Sequence, residues 1–147
     1  IAFTLNWVGP NLVLKGGLGR SFISRSLLDA LSWDDALGKV TVPNQSAGHN
    51  FQLMDFHERR VVNIETAPGP LYSLRAVTTP FFHANQYVTL RVPEHYSNSS
   101  MHRTARVKQL PEPYTATAVL NVLGDQHDTE YPIFHDQLSH DRGELLC

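Results

Sequence analysis

The chain has a single cysteine, Cys147, at its last position. An internal disulfide is therefore excluded, and a reducing compartment suits the chain at least as well as an oxidising one. No apolar run approaches the ~18–20 residues that cross a bilayer as a helix, and the N-terminus carries neither a basic stretch nor a small-residue cleavage site. The sequence reads as a soluble protein without a membrane partner. Neither sign of charge dominates: 12 basic and 14 acidic residues, net −2, are spread along the chain. That leaves no basic stripe to neutralise phosphates, which argues against nucleic acid. No repeat, linker or low-complexity tract marks a boundary, so the 147 residues are expected to form a single domain. The first residue is Ile1, already inside an apolar alternation, and the last three are Leu145-Leu146-Cys147. Both ends read as interrupted strands, and the expectation is a fragment of a larger catalytic domain, truncated at both ends.

What is present begins with "IAFTLNWV", a strand pattern closed by the turn signal Gly9-Pro10-Asn11. A Gly-rich loop, Gly16-Gly17-Leu18-Gly19, leads into a helix from Ser21 with apolar residues at Phe22, Ile23, Leu27, Leu28, Ala30 and Leu31. Ser32 is the expected cap of a second helix through Val40, with Asp34 and Asp35 in the first turn, where the helix dipole favours acids. Between His49 and Val77 the period changes to two in "HNFQLMDF", "RVVNIETA" and "LYSLRAV", which predicts an antiparallel meander. The stretch "FFHANQY", residues 81–87, is followed by the alternating run Tyr87–Leu90 and looks strand-like. Asn98, Ser99 and Ser100 offer caps for a helix over Met101–Leu110, and a last short helix runs from Thr115 as cap to Gly124 as exit. Strand, two helices, three or four strands and two helices make an α+β fold, an antiparallel sheet with helices packed on it.

Several groupings invite chemistry. Eight histidines are present, densest around His127, Asp128, His135, Asp136 and His140. None has the His-Glu-x-x-His spacing, and Cys147 is the only thiolate on offer, so polar loop histidines are expected and no metal or cofactor. "KGGLGRS" lacks a P-loop lysine and the G-x-G-x-x-G pattern, and reads as a loop needing positive φ and close approach. "DFHER", Asp55–Arg59, reads as an exposed hairpin tip. Asn50 and Asn85 differ in kind, since each sits in an apolar, strand-like context where an unpaired carboxamide costs about 1–3 kcal/mol. Each should therefore have a partner. Two roles stay open at this point: a structural hydrogen bond, or a donor aimed at a developing oxyanion.

The segments "GLGRSFISRSLLDALSWDDAL", "AGHNFQLMD", "HAN", "SSMHR" and "YPIF" occur in an order and spacing that resembles the acyl-CoA:isopenicillin N acyltransferase and β-alanyl-dopamine hydrolase family of cysteine N-terminal nucleophile hydrolases. The resemblance spans nearly the whole chain, from Phe3 to Gly143, and rests on the order of the segments. It implies a partial αββα sandwich and an acyl-thioester mechanism on a small N-acyl amide. In that mechanism a self-cleaving precursor exposes a cysteine whose thiol attacks and whose α-amino group is the base. By position, Asn85 inherits the oxyanion role from the family's His-Thr-Asn-His stretch, here His83-Ala84-Asn85-Gln86. His83 and Asn50 become structural residues near the site, and Asn6 and Trp7, on the strand that lines the acyl pocket, become candidate substrate contacts. The implied partners are a small amide or acyl-CoA substrate and the remaining segments of the same precursor. The family's Gly-Cys junction, its supporting Asp and its late Arg have no counterpart, so the expectation is an internal piece of the nucleophile-bearing subunit, inactive alone. A truncated binding or regulatory module is the non-enzymatic rival, and a histidine-rich metal-binding domain a further one. An intracellular compartment, cytoplasmic or peroxisomal, is favoured, although Leu145-Leu146-Cys147 is not a peroxisomal tripeptide.

Overall fold

The computed structural model describes residues 1–135. Expectations that fall on Asp136, His140, Arg142-Gly143 and Leu145–Cys147 lie outside the described residues. The order is β1 (Ala2–Val8), α1 (Arg20–Leu28), α2 (Trp33–Val40), β2 (Gly48–Asp55), β3 (Arg60–Thr66), β4 (Tyr72–Ala76), α3 (Asn98–Val107) and α4 (Ala116–Leu123). This is the expected α+β order. Two compact units divide the described residues, one comprising Ile1–Thr79 with Asn85–Tyr96, the other Pro80–Ala84 with residues 97–135. Among the described residues no helix is long and apolar enough to cross a membrane.

In the first unit the four strands form one antiparallel sheet in the order β1-β2-β3-β4. Because side chains alternate across a strand, the register gives the sheet two unlike faces. Phe3, Leu5, Phe51, Leu53, Val62 and Ile64 share one face, where they form a core with Ile23 and Leu27 of α1 and Ala36 and Val40 of α2. Thr4, Asn6, Asn50, Gln52, Asn63 and Glu65 share the other, polar face. The helices follow from local signals. The Ser32 hydroxyl accepts from Asp35 N at 3.1 Å, and Asp35 pairs in turn with Lys39. The first helix starts one residue early and stops at Leu28; Leu31 is 95 % exposed and takes no part in its buried face.

The Gly-rich loop has the structural role expected of it. Gly16 takes φ +79°, and a Cβ on Gly17 would lie 2.8 Å from the Asn44 carbonyl oxygen. At the β2–β3 tip His57 and Glu58 are exposed, while Asp55 accepts from both of their backbone N–H groups and from Arg60. In the second unit the α3 cap is Ser97 rather than one of the three residues after it, its hydroxyl accepting from Ser100 N at 3.2 Å. Helix α3 is accordingly shifted three residues toward the N-terminus at both ends. Thr115 caps α4 and Gly124 ends it, as expected.

His49 faces the helix-covered side of the sheet, 3 % exposed, and its Nδ1 makes no hydrogen bond. Burial, and secondarily the Arg20 charge, lower its pKa from 6.5 to about 4. Between those values the unfolded chain binds the proton and the folded chain does not, so stability rises with pH across this window and is lost as pH falls from 6.5 to 4. The full effect is on the order of 3 kcal/mol. Thermal unfolding between pH 7 and 4.5 is expected to show this slope in the parent and a flattened one in His49→Leu; equal slopes would contradict the assignment. A second expectation concerns Gly48, where an added Cβ would lie 2.1 Å from Tyr87 Oη and 2.7 Å from Pro10 Cδ. Gly48→Ala should destabilise by roughly 1–3 kcal/mol in a urea titration, the range for overpacking; an unchanged midpoint would show that Tyr87 does not hold this position.

Candidate functional site

The stretch containing Asn85 is not a strand. Residues 81–90 form irregular backbone with bends, and Asn85 is half-buried where the alternation suggested a sheet position. The reason lies in where the backbone donors go, since each N–H taken out of water needs an acceptor. The N–H groups of Val88, Thr89 and Leu90 donate to the Glu65 carboxylate at 2.6, 2.9 and 2.6 Å, and Tyr87 N donates to Glu94 at 2.9 Å. Side-chain carboxylates thus take the place of a neighbouring strand. Glu65 itself is completely buried on the polar face of β3, and its Oε2 also accepts from the Ser73 hydroxyl at 3.4 Å.

Two further bonds attach the same segment to the sheet. Tyr87 Oη donates to the Thr66 carbonyl at 2.8 Å, and its ring packs with Val8 and Ala67. Burial, then the nearby charges of Glu94 and Glu65, raise the Tyr87 pKa, so the phenol stays protonated and able to donate. Asn85 Nδ2 donates to the Trp7 carbonyl at 2.8 Å, linking the segment to the end of β1. Asn85 is therefore brought to Trp7 through the Trp7 backbone. The side chains of Asn6 and Trp7 are successive residues on β1 and point to opposite faces, so they do not line one surface together. Trp7 is 45 % exposed, and its ring lies over Gly9.

Asn50 is fully buried and paired. Its Nδ2 donates to Asn63 Oδ1 at 2.5 Å and to the Ile64 carbonyl at 3.2 Å, while Gln52 Nε2 donates to Asn50 Oδ1 at 3.0 Å and Asn63 Oδ1 at 2.6 Å. Asn6 stands directly opposite Asn50 in the β1–β2 register. These carboxamides form a layer across three strands, with Glu65 directly opposite Asn50 in the β2–β3 register. In the second unit, His83 Nδ1 donates to the adjacent Ala84 carbonyl at 2.5 Å, and its ring meets Phe81 edge-on at 6.0 Å.

Sequence reasoning missed Glu65, Tyr87, Gln52 and Asn63. The available signal was the pairing of Asn50 with Gln52 and of Asn63 with Glu65 at spacing two in strands predicted to be neighbours, which places all four on one face. The second unit also joins two of the family-like segments, because His102 in "SSMHR" bonds Asp128 at 2.8 Å and its ring packs tilted against Tyr131 of "YPIF" at 4.7 Å. Arg106 makes a two-pronged pair with Asp125 at 2.9 and 2.7 Å, which holds that carboxylate below its usual pKa. An apolar cavity of about 500 Å³ in this unit is lined by residues including Phe81, Phe82, Val107, Leu110, Val119 and Leu123. Among the described residues no three His, Cys, Asp or Glu side chains are grouped as a metal site.

No curated protein and no solved structure matches the chain. The family model of acyl-coenzyme A:6-aminopenicillanic acid acyl-transferase matches residues 1–147, the whole of the sequence. With the five ordered segments and the α+β architecture, that match assigns the chain to the acyl-coenzyme A:6-aminopenicillanic acid acyl-transferase family.

Proposed function

We propose that this chain supplies part of the active site of a cysteine N-terminal nucleophile enzyme that cleaves or exchanges a small N-acyl amide through an acyl thioester, with Asn85 as the oxyanion donor. The observation that carries this reading is the way Asn85 is held. Its carboxamide is fixed by the Trp7 carbonyl at 2.8 Å, at the head of a segment whose next backbone donors are bound to buried groups of the sheet. An oxyanion donor is effective when it is aimed before charge develops and needs no reorganisation during the reaction, and a carboxamide fixed in this way meets that requirement.

In the proposed reaction a thiolate attacks the acyl carbonyl and forms the C–S bond. The carbonyl electron pair moves to oxygen, and the Asn85 N–H stabilises that negative charge. Collapse of the tetrahedral species breaks the C–N bond, the amine leaving with a proton from the nucleophile's own α-amino group. An acceptor amine or water then takes the acyl group from sulfur; with acyl-CoA as donor the first step displaces a thiol instead of an amine. Cys147 does not have the N-terminal position this chemistry needs, so the thiol is assigned to another segment of the precursor. The αββα sandwich belongs to the same proposal, with α1 and α2 as one of its helical layers. Trp7, partly exposed beside Asn85's anchor, is the substrate contact this reading favours on β1, while Asn6 faces the carboxamide layer. His83 keeps a structural part.

In the full-length parent enzyme, Asn85→Ala is expected to lower kcat by ~10²–10³, the usual loss for one oxyanion donor, with a much smaller change in KM. Steady-state kinetics on any amide substrate the parent accepts will measure this. Turnover within about twofold of the parent would remove Asn85 from the mechanism.

A further inference from the structure

We infer that Glu65 is the positioning residue for Asn85, acting through the backbone of residues 88–90; the inference rests on the oxyanion reading of Asn85. The basis is the geometry of one fully buried side chain. Three successive backbone N–H groups converge on its carboxylate, Val88 on Oε1 and Thr89 and Leu90 on Oε2, at 2.6–2.9 Å. Hydrogen bonds to an ionised acceptor are roughly twice as strong as neutral ones. A carboxylate buried without such donors would be among the costliest groups a sheet could carry. Its presence on β3, between Ile64 and Thr66 in a strand that could have carried a hydrocarbon there, therefore calls for a function that a hydrocarbon cannot perform.

The function follows from what the carboxylate holds. Among the described residues no strand neighbours residues 88–90, so without Glu65 their donors would turn to water and the segment would lose its fixed path. Asn85 lies three residues before the first of these donors. Between them Tyr87 is tied through its hydroxyl to Thr66, the residue next to Glu65, and through its backbone N–H to Glu94. One end of β3 thus sets the two attachments to the sheet on the C-terminal side of Asn85, and the Trp7 carbonyl accepts from the carboxamide itself. Displacement of an oxyanion donor by about 1 Å can lower turnover ~10²-fold while leaving ground-state binding nearly intact. The expected signature of losing Glu65 is consequently a change in kcat with little change in KM.

Glu65→Gln keeps the volume and one acceptor oxygen, but turns an amide nitrogen toward backbone donors. In the full-length parent it should lower kcat at least about tenfold with KM within about threefold. The decisive arm is the double variant. If Glu65 acts through Asn85, then Glu65→Gln on the Asn85→Ala background should lower kcat by less than about twofold further, because residues acting as a unit are not additive. A loss of full size on that background, or an unchanged kcat in Glu65→Gln alone, would overturn the inference while leaving Asn85's role intact. An Asn85→Ala enzyme with normal kcat would remove the oxyanion reading, and the Glu65 inference with it. Hydrogen exchange on the unmutated protein gives a test independent of whether the variants fold. The amides of Val88, Thr89 and Leu90 should be protected to the level of the β2–β3 ladder, and exchange at the rate of exposed loop amides would overturn the inference.

Discussion

The Glu65 carboxylate and the three amides it accepts determine where the polypeptide runs after the sheet is complete. Among the described residues, 88–90 have no ladder partner, and their path is set from inside the sheet by a carboxylate of a kind that a strand rarely buries. Once Glu65 collects Val88, Thr89 and Leu90, Tyr87 is placed over Val8 and Ala67 with its hydroxyl on Thr66. The close approach of that hydroxyl then requires glycine at position 48, and Asn85 is left beside the end of β1.

The polar face of the sheet supports this arrangement. Asn50, Gln52 and Asn63 bond one another across β2 and β3, so the strand segment that carries Glu65 is braced by side chains as well as by its ladder. These bonds tie β2 to β3 through side chains, and Asn63 Nδ2 alone of the network's donors is left without an acceptor among the described residues. The opposite face has the usual composition of a helix-covered sheet, where Phe51, Leu53 and Ile64 meet α1 and α2. The hydrophobic core thus lies on one face of the sheet and the side-chain hydrogen-bond network on the other.

Much of the fold was legible because its signals are local. The alternation in β1 to β4, the Ser32 cap with Asp35, the Thr115 cap and the Gly124 exit each depend on residues within a few positions of one another. Capping of α3 was misplaced because four hydroxyl or amide side chains stand in a row from Ser97, and only the backbone geometry distinguishes them. The error at residues 81–90 has another origin. Tyr87, Val88 and Leu90 alternate as strand residues do, but their donors are claimed by a carboxylate more than 20 positions earlier, which no window of sequence reveals. Asn85 was singled out by its apolar, strand-like context and given its proposed role by the order of family-like segments, and Glu65 escaped because a Glu within "RVVNIETA" is easily read as solvent-facing.

The central claim is that Asn85 is a donor held in place for an oxyanion. It is tested most directly by a crystal structure of the mature parent enzyme with a substrate-like aldehyde, whose carbonyl adds the nucleophilic thiol to give a tetrahedral hemithioacetal. The account predicts the hemithioacetal oxygen about 2.7–3.1 Å from Asn85 Nδ2, with the Glu65 bonds to residues 88–90 unchanged. An oxygen held by other donors, with Asn85 beyond about 4 Å, would contradict it.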